Sequence, residues 1–207
     1  MACFLLESLV DCIRQEVNVQ ILSTLSAIVF IIAYIPYIRA VARGETRPQK
    51  TSWIIWGALD SITFAGMLAR HSVNGQITAA VIGTWTVAAL ALKYGKPGWT
   101  RLDKFCLLGA ALAIALWQVF DSPTIGLTTS LIAMFIGSVP TFQNAWGKPG
   151  EEDKLAWTLY WISCLLAVAA VPSWSLDDAA QPITFLAIES TMMFILFVKP
   201  RLISTAT

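Results

Sequence analysis

Charge is what this sequence has least of. Only 13% of its 207 residues are Asp, Glu, Lys or Arg, against 57% hydrophobic, and the mean hydropathy is +0.67. So little charge cannot clothe a soluble surface, and a net charge of +1 argues against nucleic acid as a partner. Histidine occurs once, at His71 in an expected external loop, which excludes bis-histidine haem ligation and a metal cluster. The four cysteines, Cys3, Cys12, Cys106 and Cys164, lack metal or redox spacing. No glycine loop for phosphate appears, which speaks against nucleotide-driven transport. No lysine lies in the middle of the last apolar run, so a retinal Schiff base is excluded. No nucleophile–base pair for an intramembrane hydrolase stands out. The expectation is a protein that is not an enzyme, with no catalytic residue, no cofactor and no metal.

The N-terminus also lacks the basic flank of a secretory signal, and Glu7 and Asp11 interrupt its apolar stretch. Phe4, Leu5, Val10 and Ile13 fit a short amphipathic turn in the membrane interface, and a frayed terminus fits equally well.

Long apolar runs fill the rest. Charge-poor stretches recur at Gln20–Val41, Thr51–Ala69, Gly75–Leu92, Phe105–Phe120, Thr124–Trp146, Leu155–Val171 and Ala179–Val198. Each is close to the roughly 20 residues that cross a hydrocarbon core of ~30 Å. Seven spans predict an all-α, multi-pass membrane protein with the lipid bilayer as its surroundings. With the N-terminus outside, twelve of the fourteen Lys and Arg fall on the cytoplasmic side, and only Arg14 and Arg70 fall opposite. The positive-inside rule therefore predicts an N-out, C-in topology in a plasma or bacterial inner membrane.

The chain also repeats itself. Ile32-Ala-Tyr-Ile-Pro36, a basic loop and Trp53-Ile-Ile-Trp56 are answered 104 residues later by Ile136-Gly-Ser-Val-Pro140, a polar loop and Trp157-Thr-Leu-Tyr160. A repeat of this length is a whole structural unit. It divides the spans as three, one and three, and the odd linker gives both triplets the same orientation, as parallel repeats about the membrane normal. The expected organisation is an interfacial segment over 1–19, a first three-helix bundle over 20–95 and a linker helix with its turns over 96–122. A second three-helix bundle over 123–200 and a cytoplasmic tail over 201–207 complete it.

Three-one-three helices, N-out, with a proline late in the first and fifth, resemble the SWEET and PQ-loop transporter superfamily. Val139-Pro140-Thr141-Phe142 looks like the Pro-Thr-Phe signature of that family, and PnuC-type vitamin carriers are similar in architecture. The resemblance implies a carrier that moves a small polar, sugar-like solute by rocking one triplet against the other, with Pro36 and Pro140 as hinges. The chain departs from the pattern in three places. Its Pro48-Gln49 pair lies in a loop, Trp53, Ile54, Trp157 and Thr158 stand where the family places prolines early in helices two and six, and helix seven has no asparagine.

The residues themselves nominate a site. Each proline frees the carbonyl four residues back, Ile32 or Ile136, and kinks its helix. Trp53, Trp56, Asp60 and Thr63 share one face of helix two, where Gly57 leaves room for a ligand or a neighbouring helix. Their repeat mates are Trp157, Tyr160, Cys164 and Ala167, so the aromatics are duplicated and the acid is not. Trp53 and Trp157, close to lysines, read as interfacial belt residues, whereas Trp56 and Tyr160 lie a turn deeper as a stacking platform. Asp60 and Glu189 each lie ten residues inside a lysine, about 15 Å deep at 1.5 Å per residue. An acid at that depth costs at least ~2.5–3.5 kcal/mol and should face the bundle interior. Such acids can anchor a substrate, carry a coupling proton, or tie helices together through neighbours such as Thr63, Thr84 or Ser190. Asn74, Thr78 and Trp85 share a face of helix three.

The candidate substrate-binding residues are therefore Trp56, Asp60, Asn74, Trp85, Tyr160 and Glu189. A sugar-like solute, a proton-coupled amino acid or vitamin-like solute, and a non-transporting subunit or sensor remain as three readings. Oligomerisation is left open.

Overall fold

The computed structural model describes residues 2–96 and 101–199, with the side chains of 2–15, 102, 103 and 106 outside that description. The interfacial face of Phe4 to Ile13, the Pro97-Gly98 turn and the tail 201–207 therefore lie outside it. Among the described residues the chain is helical, with one isolated bridge between Gln49 and Lys96 and no strand.

The long helices are α1 (Ala2–Arg43), α2 (Lys50–Ala69), α3 (Gly75–Tyr94) and α4 (Arg101–Phe120). They are followed by α5 (Pro123–Gly137), α6 (Val139–Gly147), a tight helical turn Pro149–Glu151, α7 (Lys154–Ala169) and α8 (Leu176–Met193), which runs into a π-helical turn Phe194–Val198. Five segments are long and apolar enough to cross a membrane: Glu16–Arg43, Lys50–Ala69, Gly75–Tyr94, Pro123–Gly147 and Leu176–Val198. Leu107–Phe120 and Lys154–Ala169 are apolar but shorter. The molecule is a helical membrane protein.

Local chemistry sets the boundaries. Asn74, Asp153 and Ser175 cap α3, α7 and α8, their side chains accepting from the amides of Ile77, Ala156 and Asp178. Pro123 opens α5, where its missing N–H costs nothing. Gly44, at φ +74°, lets the chain leave α1 in a left-handed turn.

The structure differs from the sequence expectation in two of its elements. The first residues form no separate turn: from Ala2 they are continuous with α1. The expected fifth span breaks at Ser138, because Pro140 lacks an N–H and its ring clashes with the carbonyl of Ile136, so α5 stops and α6 restarts around it. Pro36, by contrast, is carried inside an unbroken α1. A third interior proline, Pro182, is buried in α8.

Helix adjacency follows one rule on both sides of α4. In the first three helices, α3 packs against both α1 and α2. After α4, α8 packs against both α5 and α7. The two groups meet through α1 on α7 and α2 on α5, while α4 lies against α5 and α2. Small residues allow close approach where helices cross, as expected when packing rather than hydrophobicity holds helices together in lipid. At Gly75 a Cβ would lie 2.5 Å from the Ser23 carbonyl oxygen of α1, and at Gly83 it would enter the Tyr34 ring.

Charge separates along the bundle. One end gathers the 44–49 loop, the end of α3 and the Pro149–Glu151 turn, joined by Lys96–Glu151 and Lys148–Glu151 ion pairs at 3.1 and 3.0 Å. At the other end Arg70 pairs with Asp177 at 2.9 Å.

Candidate functional site

At mid-bundle the helices line a partly open cavity of about 70 Å³ whose walls come from α1, α2, α3, α5, α7 and α8, with Ser138 at the α5–α6 break. Its walls follow the repeat. Phe30 and Met134, Tyr34 and Ser138, Trp53 and Trp157, and Trp56 and Tyr160 are each 104 residues apart, and all eight line it. Ala80, Thr84, Phe185, Ile188 and the two acids complete the lining.

Asp60 comes from α2 and Glu189 from α8, and each is almost fully buried. Thr84 Oγ1 donates to Asp60 Oδ2 at 2.9 Å, which ties α3 to α2. The other oxygen, Asp60 Oδ1, has no partner, and neither has Glu189 Oε2. Two donors are equally unmet, Trp56 Nε1 and the Tyr160 hydroxyl. These are the buried side-chain polar atoms without a hydrogen bond among the described residues, and all four belong to cavity-lining side chains. Since a buried polar group left unpaired costs about 1–3 kcal/mol, four around one cavity mark a place prepared for something polar.

Aromatic rings form the rest of the cage. Tyr160 packs against Phe30 at 4.9 Å and edge-on against Tyr34 at 5.1 Å, and Phe30 reaches Phe185 at 6.3 Å. Trp53 and Trp157 are not the lipid-facing belt that their nearby lysines implied. Both are buried, and with Trp56 they form the partition between the cavity and a second, more polar pocket towards the basic end. Trp53 packs on Tyr37 at 5.1 Å and on Trp56 at 5.3 Å. Trp157 Nε1 donates to Glu152 Oε2 at 3.0 Å. Burial raises the Glu152 carboxyl above its ordinary value, against the lowering by that bond.

The opposite end is closed by a chain of amides and hydroxyls. Asn74 donates to Gln181 at 2.8 Å, Gln181 to Gln76 at 3.0 Å, and Gln76 to Ser163 at 3.2 Å. Ser163 and Ser26 exchange hydroxyl contacts at 2.9 Å, linking α7 to α1. The tryptophan partition and the amide chain thus flank the cavity on its two sides.

Of the six candidate binding residues, the structure brings Trp56, Asp60, Tyr160 and Glu189 together. It does not bring Trp85 or Asn74. Trp85 lies on the outer face of α3, its ring over Gly57 of α2 and its Nε1 donating to Ser61 at 3.1 Å. Gly57 thus admits a neighbouring helix's tryptophan rather than a ligand. Asn74 caps α3 and belongs to the amide chain. Thr63 bonds Ser130 at 2.8 Å instead of joining Asp60, and Cys164 is buried, accepting from Gln76. Pro140 lines the second pocket, while Pro36 lines neither. Sequence reasoning missed Phe30, Tyr34, Met134 and Ser138, although the 104-residue register would have found them in pairs. It also missed Gln76 and Gln181, whose amides lie far apart in sequence.

Compared with known proteins, the chain matches no family model, no curated protein and no solved structure.

Proposed function

We propose that the protein is a membrane carrier for a small polar solute, working by alternating access between two parallel three-helix halves joined by α4. The observation that carries this reading is that four unpartnered buried polar groups all belong to side chains lining one central cavity. The register-paired walls and the matching helix adjacencies support a common two-half machine, as in carriers built from parallel repeats. The charge distribution supports an N-out, C-in orientation. In that frame the tryptophan partition with the Lys96–Glu151 pair is the cytoplasmic gate, and the amide chain is the external one.

The prolines fit unequal hinge roles. Pro140 sits where the span is already broken, ready to absorb a change of angle, while Pro36 only weakens an intact helix. The likeness to SWEET, PQ-loop and PnuC-type carriers accords with this reading. Two buried acids favour a proton-coupled form of it over plain facilitated sugar movement.

Flux into proteoliposomes is the test, with sugars, amino acids and amines as solutes, each with and without a pH gradient. Saturable uptake that Asp60→Asn and Glu189→Gln each reduce at least tenfold is the expected result. A protein that carries none of these solutes and binds none in a thermal-shift screen is instead a structural subunit or sensor.

A further inference from the structure

We propose that the central cavity selects a small primary ammonium cation carrying a hydroxyl, an amino alcohol of about four heavy atoms, over a neutral polyol or a zwitterionic amino acid. This rests on the transport reading for its setting, but it concerns recognition, which binding alone can test.

Charge narrows the class first. Asp60 and Glu189 both line the cavity, and no lysine, arginine or histidine does. Beyond the cavity, Lys96 pairs with Glu151 and Arg70 with Asp177, while Arg47 lies past the tryptophan partition in the second pocket. A zwitterion would bring its own carboxylate to a chamber holding two acids and no base. A neutral polyol would leave both acids without a counter-charge, so it would fit only with both carboxyls protonated. An ammonium group answers both objections. The aromatic cage favours it further, because a cation is drawn to the faces of tryptophan, tyrosine and phenylalanine rings.

The unmet hydrogen bonds narrow the class again. Asp60 Oδ1 and Glu189 Oε2 can only accept when ionised, so the ligand must bring N–H donors there. That favours a primary over a quaternary ammonium. Trp56 Nε1 can only donate, and the Tyr160 hydroxyl can also donate, so the ligand must also bring an acceptor. A hydroxyl oxygen supplies one without adding negative charge.

Size sets the scale. At about 70 Å³ the cavity is well below the roughly 300–1,000 Å³ of drug-sized ligand pockets, which favours a small ligand. Bare metal is the poorer occupant. Among the described residues no three His, Cys, Asp or Glu side chains gather to hold an ion.

The experiment uses the full-length protein in detergent, with tryptophan fluorescence and thermal shift as readouts at fixed ionic strength. The probes are ethanolamine, its neutral isostere ethylene glycol, the zwitterion glycine, and ethylammonium, which keeps the charge and loses the hydroxyl. Ethanolamine is expected to bind saturably and at least tenfold more tightly than ethylene glycol or glycine. Asp60→Asn and Glu189→Gln should each weaken it tenfold or more. Trp56→Phe, which keeps a ring and removes the N–H, should weaken ethanolamine while leaving ethylammonium unchanged, so the test survives if an acid variant fails to fold. Ethylene glycol or glycine binding as tightly as ethanolamine would overturn the proposal, as would sodium chloride alone reproducing the signal. Ethanolamine that binds as described but never crosses a vesicle membrane upholds this inference and sinks the carrier reading. A neutral sugar carried without any ethanolamine binding does the reverse.

Discussion

Gly83 is the position where one added methyl group should do the most measurable damage. A Cβ there would lie 1.8 Å from Tyr34 Cε2 and 2.1 Å from Cζ, inside the ring rather than beside it. To reach ordinary contact the ring must retreat by about 1.5 Å, which breaks its packing on its aromatic neighbours and pushes it towards the cavity it lines. Tyr34 is buried in edge contacts with Phe30 at 5.7 Å, Tyr160 at 5.1 Å and Trp53 at 6.5 Å. Overpacking a filled core costs typically ~1–3 kcal/mol, and three strained aromatic neighbours place Gly83→Ala near the upper part of that range. For a chain of this size that corresponds to a fall in Tm of roughly 4–12 °C. The clash is with one side chain, so removing that side chain should remove the penalty. In a Tyr34→Ala background, Gly83→Ala should cost under about 0.5 kcal/mol, a strongly non-additive pair. Melting of the four proteins in detergent, followed by tryptophan fluorescence, reads the whole cycle. Equal costs in the two backgrounds, or no fall in Tm for the single variant, would refute the close approach of α1 and α3.

Glu152 gives a pH signature. Its raised carboxyl holds a proton more tightly in the folded than in the unfolded chain, so its stabilising contribution is present below the ordinary glutamate value and lost as pH rises through the raised one. Glu152→Gln, which still accepts from Trp157, should therefore melt above the parent at pH 8 and converge with it near pH 4; lower melting at both would contradict the burial argument. The Lys96–Glu151 pair should act as a salt-sensitive latch worth about 0.2–1 kcal/mol. Lys96→Glu and Glu151→Lys should each speed alkylation of a cysteine placed at Thr141 in the second pocket, and the double swap should restore the slow rate. Ser163→Ala removes a hydroxyl that both gives to and takes from Ser26, so it should lower stability by about 1–3 kcal/mol, and a smaller loss would show that the α1–α7 contact is wet.

Much of the fold was legible because lipid demands long apolar helices, and their ends are written in charge and turn residues. The expected spans begin and end within a few residues of the helices, apart from the N-terminus. The break at Ser138 was half visible: Pro140 announced a kink, but nothing in the local sequence distinguished it from Pro36, which interrupts nothing. Helix three shows the commoner failure. Periodicity grouped Asn74, Thr78 and Trp85 along one side, but Asn74 is the cap that bonds Gln181 while Thr78 and Trp85 face outward. The buried side carries Gln76, Ala80, Gly83 and Thr84 instead. Trp53 and Trp157 were misassigned for a similar reason. Tryptophan beside lysine marks an interface with lipid or, as here, a partition beneath a polar loop cluster, and only the packing of other helices decides. The two acids were readable because burial of charge is too costly to be casual.

Whether the central cavity opens to both faces is the measurement closest to the whole account. Ser138 lines the cavity and is buried, so a single cysteine placed there, in a chain whose native cysteines are alanine, reports on the chamber alone. A membrane-impermeant thiol reagent would be applied separately to each face of oriented vesicles. Labelling from both faces, slowed from each by a saturating solute, is the predicted result. Labelling from neither face, or from one face only under every condition, would contradict a carrier that alternates between them.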